Sequence, residues 1–122
     1  MIAGYEPIDE LVQNDQFRIC RARRRHDGAQ VLVKMPTSVP PRAADIAALD
    51  REIAILRTLA IGGVLQPFEP HAHYGHALLL EDPNSESLRS LCGMGNLPLD
   101  HALSIAIQLT TVLEGLHARG IA

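Results

Sequence analysis

Short apolar runs separated by polar turns open the chain and predict a small antiparallel sheet. Tyr5–Val12 and Phe17–Arg23 both have strand character, and the polar residues between them are typical of a hairpin connection. The pair Asp27-Gly28 is favoured in tight turns, and the strand-like run Ala29–Met35 follows it. The pattern therefore predicts three antiparallel strands in chain order.

A helical pattern follows these strands. In "RAADIAALDREIAILRTLA" apolar side chains recur at helical spacing, which predicts an amphipathic helix that ends at Gly62-Gly63. Two further strand-like runs, Val64–Phe68 and Ala77–Glu81, come after it. These elements together predict a five-stranded antiparallel sheet that carries one helix.

The remainder of the chain is predicted to be helical. A short helix is expected around Ser87–Cys92, and a long apolar helix is expected from Pro98 through His117. The fold class is therefore α+β, with the sheet and its helix in residues 1–83 and the start of an all-α region in residues 84–122.

Lys34 is the only lysine of the chain, and ten arginines carry the other basic charges. Glu52 lies on the predicted helix among apolar neighbours at helical spacing. These neighbours are Ala48, Leu49, Ile55, Leu56 and Leu59. Because an isolated charge in apolar surroundings is costly, Glu52 is expected to pair with a cation, and Lys34 is the natural candidate. Spacing alone leaves open the alternative that Glu52 is a rim residue and Lys34 a solvated charge at a strand end.

Charge and composition exclude several classes of function. The chain has a net charge of −3, two Phe, two Tyr and no Trp. It therefore lacks the basic surface and the aromatic stacking residues that nucleic-acid binders use. No apolar run approaches the length of a membrane span, and no secretory leader opens the chain. Cys20 and Cys92 are not arranged as a C-x-x-C motif and are expected to be free thiols. A cytoplasmic protein without a membrane or nucleic-acid partner is predicted.

The motif "VLVK" at the end of a third strand, a helix with an inward Glu52 and a strand ending in "LLLE" together resemble the small lobe of the protein kinase fold. The resemblance implies that Lys34 holds the α- and β-phosphates of ATP and that Glu52 positions Lys34. It also implies residues for the adenine site and the hinge. These are Ile19, Ala22, Val33, Leu80, Glu81 and Pro83.

A narrower resemblance rests on "RICRARRRHDGAQVLVK", "LDREIAILRTL" and "LLLEDPNSESL". These segments are similar to the kinase-like domain of large hybrid sensor proteins that also carry an ATPase module and a histidine kinase. The implied function is the ATP-binding lobe of a Ser/Thr protein-kinase-like domain that acts as a signalling module.

Two departures from the kinase pattern weaken the implied binding of ATP. Val12, Asn14 and Phe17 stand where the family has the three glycines of its phosphate loop, and their side chains obstruct the approach of backbone amides to phosphate. Pro83 stands where a backbone N–H normally meets the adenine ring, and proline has no N–H. Binding of ATP is expected to be weak or lost. The alternative function is a pseudokinase module that regulates or scaffolds without phosphotransfer.

The catalytic aspartate and asparagine and the metal-binding aspartate of the family have no counterpart before Ala122. This chain alone is therefore not expected to transfer a phosphoryl group, and magnesium is expected only together with the remainder of the large lobe. The apolar positions of the last helix surround its axis, which predicts cover by other domains of a parent protein or by self-association.

Three histidines in "PHAHYGHA" could bind a transition metal. They are His71, His73 and His76. A solvated hairpin rich in histidine is the favoured interpretation, because no Cys, Asp or Glu completes a ligand set at the usual spacing.

Overall fold

The computed structural model of the chain describes residues 3–59, 61–68, 73–74, 76–84, 86–93, 95 and 97–121. In chain order its elements are β1 (Tyr5–Gln13), β2 (Phe17–Arg24), β3 (Gln30–Pro36), α1 (Ala43–Leu56), β4 (His73–Tyr74), β5 (Ala77–Glu81), α2 (Leu88–Gly93) and α3 (Leu99–Ala118). They belong to two compact units, which are Met1–Thr58 with Leu65–Ser85 and Leu59–Val64 with Glu86–Ala122. The α+β class predicted from the sequence is confirmed.

The sheet lies in the first unit and has the strand order β1-β2-β3-β5-β4, with every neighbouring pair antiparallel. Four of these strands contain five residues or more, whereas β4 contains only two. The predicted sheet of five full strands is therefore corrected to four strands with a two-residue strand at the edge.

The predicted strand at Val64–Phe68 is wrong. Within this described segment, pairing with β5 is limited to an isolated bridge between Pro67 and Leu80, flanked by hydrogen bonds from the Phe68 N–H to the Leu79 carbonyl and from the Glu81 N–H to the Gln66 carbonyl. Proline is found in sheets essentially only at edges and bulges, and here the described run bridges to β5 at the single position of Pro67 instead of forming a strand.

The two central strands, β3 and β5, form most of the core of this unit. Val31, Val33, Leu78 and Leu79 are all fully buried. Strands that are covered on both faces read as continuous apolar runs instead of alternating ones, which explains "VLV" and "ALLL". The helix α1 adds three buried apolar side chains at helical spacing, those of Leu49, Ile53 and Leu56.

The end of α1 differs from the prediction. The helix stops at Leu56, well before Gly62-Gly63. Both the N–H and the hydroxyl of Thr58 bond to the Ile55 carbonyl, at 3.0 and 2.8 Å. A threonine that bonds to the preceding turn in this way competes with continuation of the helix.

In the second unit, the segment Leu59–Val64 packs against α3. Gly63 has a φ of +88°, and a Cβ at this position would lie only 2.5 Å from a methyl carbon of Val112. The helix α3 also exposes several large apolar side chains, which are Leu99, Leu103, Ile107, Leu109 and Leu113. Among the helices described, none combines the length and the apolar character that a membrane span requires.

Candidate functional site

The structure brings Lys34 and Glu52 together. The Nζ atom of Lys34, on β3, donates a hydrogen bond of 2.8 Å to Oε2 of Glu52, on α1. The side chains retain 20% and 34% of their exposure, so the pair is neither solvated like a surface ion pair nor sealed in the core. A charge-assisted hydrogen bond of this length fixes the direction of the ammonium group while its other N–H groups stay available as donors.

The register of the strands determines which predicted residues share a face with Lys34. Ile19 on β2 is the direct cross-strand partner of Lys34, and Leu32 pairs with Leu80 on β5. Cross-strand partners project from the same face, and residues two apart along a strand do so too. Ile19, Leu32 and Leu80 therefore form an apolar strip on the face of the sheet that carries Lys34.

Other predicted residues lie on the opposite face. Val33 is adjacent to Lys34 along β3, so the pleat directs its side chain to the other side of the sheet. Ala22 and Glu81 both pair with Val31, which shares that opposite face with Val33. The face of Lys34 thus includes Ile19 and Leu80 of the predicted adenine site but not Ala22 or Val33.

The turn between β1 and β2 satisfies its own backbone groups. The side-chain oxygen Oδ1 of Asn14 accepts hydrogen bonds from the N–H groups of Gln16 and Phe17, at 2.9 and 2.8 Å. Thr37 donates through its hydroxyl to the Asn14 carbonyl and through its N–H to the Gln16 carbonyl. Arg42 donates to the Asp15 carbonyl at 3.0 Å. In the glycine-rich loop of kinases such amides face phosphate, whereas here a carboxamide oxygen engages two of them.

Phe17 lies over the ammonium group of Lys34. The Nζ atom is 4.8 Å from the centroid of the Phe17 ring, a distance at which a cation is attracted to the aromatic face. Lys34 is therefore held by a carboxylate on α1 and by an aromatic ring at the start of β2.

Asp82 is a buried carboxylate in the segment predicted to be the hinge. Its side chain has no exposure and accepts hydrogen bonds from Nε of Arg21 at 2.6 Å, Nε2 of Gln30 at 2.7 Å and the N–H of Asn84 at 2.7 Å. Burial by itself raises the pKa of the Asp82 carboxyl, but the hydrogen bonds, led by those from Arg21 and Gln30, outweigh it and the pKa is lowered. The hydrogen bond to Asp82 raises the pKa of Arg21 in turn. The segment predicted to be the hinge is thus tied to β2 and β3 through the Asp82 carboxylate.

The segment predicted to be the hinge has few free backbone N–H groups at the position expected to contact adenine. Pro83 has no N–H, and the N–H of the next residue, Asn84, is engaged by Asp82. Asn84 has a φ of +57°, a conformation that asparagine tolerates better than most residues.

The predicted histidine cluster lies largely outside the described residues, since His71 and the side chain of His73 are not among them. In the part of the chain that the structure describes, no group of three or more His, Cys, Asp or Glu side chains could hold a metal ion.

Sequence reasoning missed two features of the site. Leu32 lies two residues before Lys34 on the same strand, and strand alternation alone could have placed it on the face of Lys34. Asp82 gave no comparable signal, because its partners Arg21 and Gln30 lie 61 and 52 residues away in sequence.

Neither a scan against protein-family models nor a search of curated proteins gives a match to this chain.

Proposed function

We propose that this chain is the nucleotide-binding lobe of a Ser/Thr protein-kinase-like domain, which serves as a signalling module of a larger hybrid sensor protein. The observation that carries the proposal is the hydrogen bond between Lys34 on the third strand and Glu52 on the helix that follows. Protein kinases hold ATP with a lysine on the third strand that pairs with a glutamate on the helix of the small lobe.

The side chains around Lys34 suit a nucleotide in part. One N–H of the ammonium group is engaged by Glu52, which leaves two to contact the α- and β-phosphates of ATP. Ile19, Leu32 and Leu80 supply an apolar strip for the adenine ring on the same face. The negative charge of the triphosphate would be partly neutralised by the ammonium group of Lys34.

Other features do not suit ATP and support weak binding. Pro83 cannot donate to the ring, and loss of one such hydrogen bond costs about 1 kcal/mol. The amides of Gln16 and Phe17 already donate to Asn14 and are not free to contact phosphate.

A second candidate function is a pseudokinase module that regulates or scaffolds without phosphotransfer. The observation that favours it is that the Asn14 side chain accepts hydrogen bonds from the N–H groups of Gln16 and Phe17, which would otherwise be available to phosphate. The two candidates share the fold and the Lys34–Glu52 pair, and they differ in whether the complete domain transfers a phosphoryl group.

Replacement of Lys34 by methionine is expected to weaken ATP binding about tenfold or more. The substitution removes the only lysine and a charged contact to phosphate, and such a contact contributes at least about 1.4 kcal/mol. Titration calorimetry of the full chain with ATP, with and without magnesium, measures the effect. The sequence-based expectation is that the two magnesium conditions agree.

Arg18→Met is the matched control, because Arg18 is the neighbour of Ile19 on β2 and projects from the opposite face of the sheet. It is expected to leave ATP binding unchanged. Equal losses in Lys34→Met and Arg18→Met would mean that ATP is held by general positive charge, and the proposed site would be wrong.

A further inference from the structure

We propose that Phe17 and Asn14 are selectivity residues that close the phosphate side of this site, so that the chain binds a nucleoside such as adenosine at least as tightly as the triphosphate. The inference rests on the proposed function and names the ligand class that the site favours. It is carried by two independent sets of contacts in the turn between β1 and β2.

The first set joins the turn to Lys34. The face of an aromatic ring carries negative potential, so the Phe17 ring attracts the ammonium group and repels an approaching phosphate. The ring centroid is 4.8 Å from Nζ, and Glu52 holds the same atom at 2.8 Å. A phosphate that binds the remaining N–H groups of Lys34 has to approach the Phe17 ring, whereas a nucleoside without phosphate does not.

The second set closes the turn itself. Kinases bind phosphate oxygens with the backbone N–H groups of the glycine-rich loop. Here Oδ1 of Asn14 accepts from the N–H groups of Gln16 and Phe17, and so acts as a built-in acceptor.

The turn is also fastened from outside. Thr37 and Arg42 donate to three of its carbonyl groups, those of Asn14, Gln16 and Asp15. These bonds hold the turn on the segment that leads into α1, the helix that carries Glu52. The turn is therefore held by hydrogen bonds to its N–H groups and to its carbonyl groups, and its Gln16 and Phe17 N–H groups are not free to bind phosphate.

The test is a comparison of ATP and adenosine binding to the wild-type chain and to Phe17→Leu. Leucine keeps an apolar side chain but has no aromatic face, so the ATP affinity is expected to rise about fivefold while the adenosine affinity stays unchanged. Asn14→Ala is the second variant. It frees the amides of Gln16 and Phe17 and is expected to raise the affinity for ATP and not for adenosine.

Phe68→Leu is the matched control. Phe68 is the other phenylalanine of the chain, and Arg24 lies over its ring at 4.9 Å, so this variant removes an equivalent contact away from Lys34. It is expected to leave the ratio of ATP to adenosine affinity at the wild-type value. Thermal unfolding of each variant establishes that it is folded.

The outcomes separate this inference from the function on which it rests. If both ligands bind and neither Phe17→Leu nor Asn14→Ala changes the affinity ratio, the selectivity role is wrong and the proposed function stands. If neither ligand binds to the wild-type chain or to any variant, both the proposed function and the selectivity role are wrong. Wild-type chain that binds ATP much more tightly than adenosine would also overturn the selectivity role.

Discussion

Replacement of Asp82 by alanine is expected to lower the free energy of unfolding by about 3–5 kcal/mol, the range observed when one partner of a buried ion pair is removed. The Asp82 side chain is fully buried, and Arg21, at 2.6 Å, retains only 12% of its exposure. The variant leaves the guanidinium in a partly desolvated position without its short contact. It also removes the acceptor for Gln30 and for the N–H of Asn84, so urea denaturation followed by circular dichroism should show a marked loss.

Asp9→Ala is the control for this prediction, because it removes a second and weaker partner of the same arginine. Asp9 lies 3.5 Å from Arg21, and 53% of its side chain is exposed. Exposed ion pairs contribute little, so this variant is expected to lose less than about 1 kcal/mol. Similar losses for Asp82→Ala and Asp9→Ala would contradict the view that burial of Asp82 is what makes its contacts important.

The same carboxylate should give stability a dependence on pH. The pKa of Asp82 in the folded chain is below its ordinary value of 3.8. Its contribution is therefore complete above that value and is lost as the pH falls through the lower, folded-state pKa. Asp27, whose pKa is also lowered, chiefly by a hydrogen bond from Arg24, acts in the same direction. The informative quantity is thus the difference between wild type and Asp82→Ala, which should shrink as the pH falls below about 4.

Leu79→Ala is expected to lower the free energy of unfolding by about 2–5 kcal/mol, the usual range for a buried leucine whose removal leaves a cavity. Leu79 is fully buried at the centre of β5 and pairs with Val33, on the face opposite to Lys34. The substitution should therefore destabilise the first unit without removing a group from the proposed nucleotide face. The loss is measured by urea denaturation.

Ile55→Ala provides the comparison within the same unit. Ile55 lies on α1 with 41% of its surface exposed, and alanine is a better helix former than isoleucine. The expected change is below about 1 kcal/mol in either direction. A large loss here, or a negligible one for Leu79→Ala, would show that the core has been assigned to the wrong side chains.

Much of the first unit could be predicted from local patterns. The run "VLVK" and the periodicity of α1 carry their own signals, because burial on two faces demands continuous apolar residues and burial on one face of a helix demands helical spacing. The pairing of Lys34 with Glu52 could be predicted for a related reason. A carboxylate with apolar neighbours needs a cation, and the chain has a single lysine at the end of an apolar strand.

Other features depend on contacts that no local pattern encodes. Asp82 is polar in sequence, and its buried carboxylate is satisfied by Arg21 on β2 and Gln30 on β3. The run at Val64–Phe68 has strand composition, but its only described bridge to β5 is at Pro67, a residue type that sheets accept mainly at their edges. At the turn around Asn14, the sequence showed only that the glycines of the kinase loop are absent. The hydrogen bonds from the turn's N–H groups to the Asn14 side chain depend on side-chain geometry, which no local pattern encodes.

The central claim is that a nucleotide binds on the face of the sheet that carries Lys34, and methyl chemical shifts test it most directly. In a chain labelled at Ile, Leu and Val methyl groups, ATP or adenosine should shift the signals of Ile19, Leu32 and Leu80. The signals of Val33 and Leu79, on the opposite face, should move little. Shifts confined to Val33 and Leu79, or no shift at any of these five residues at millimolar ligand, would contradict the account.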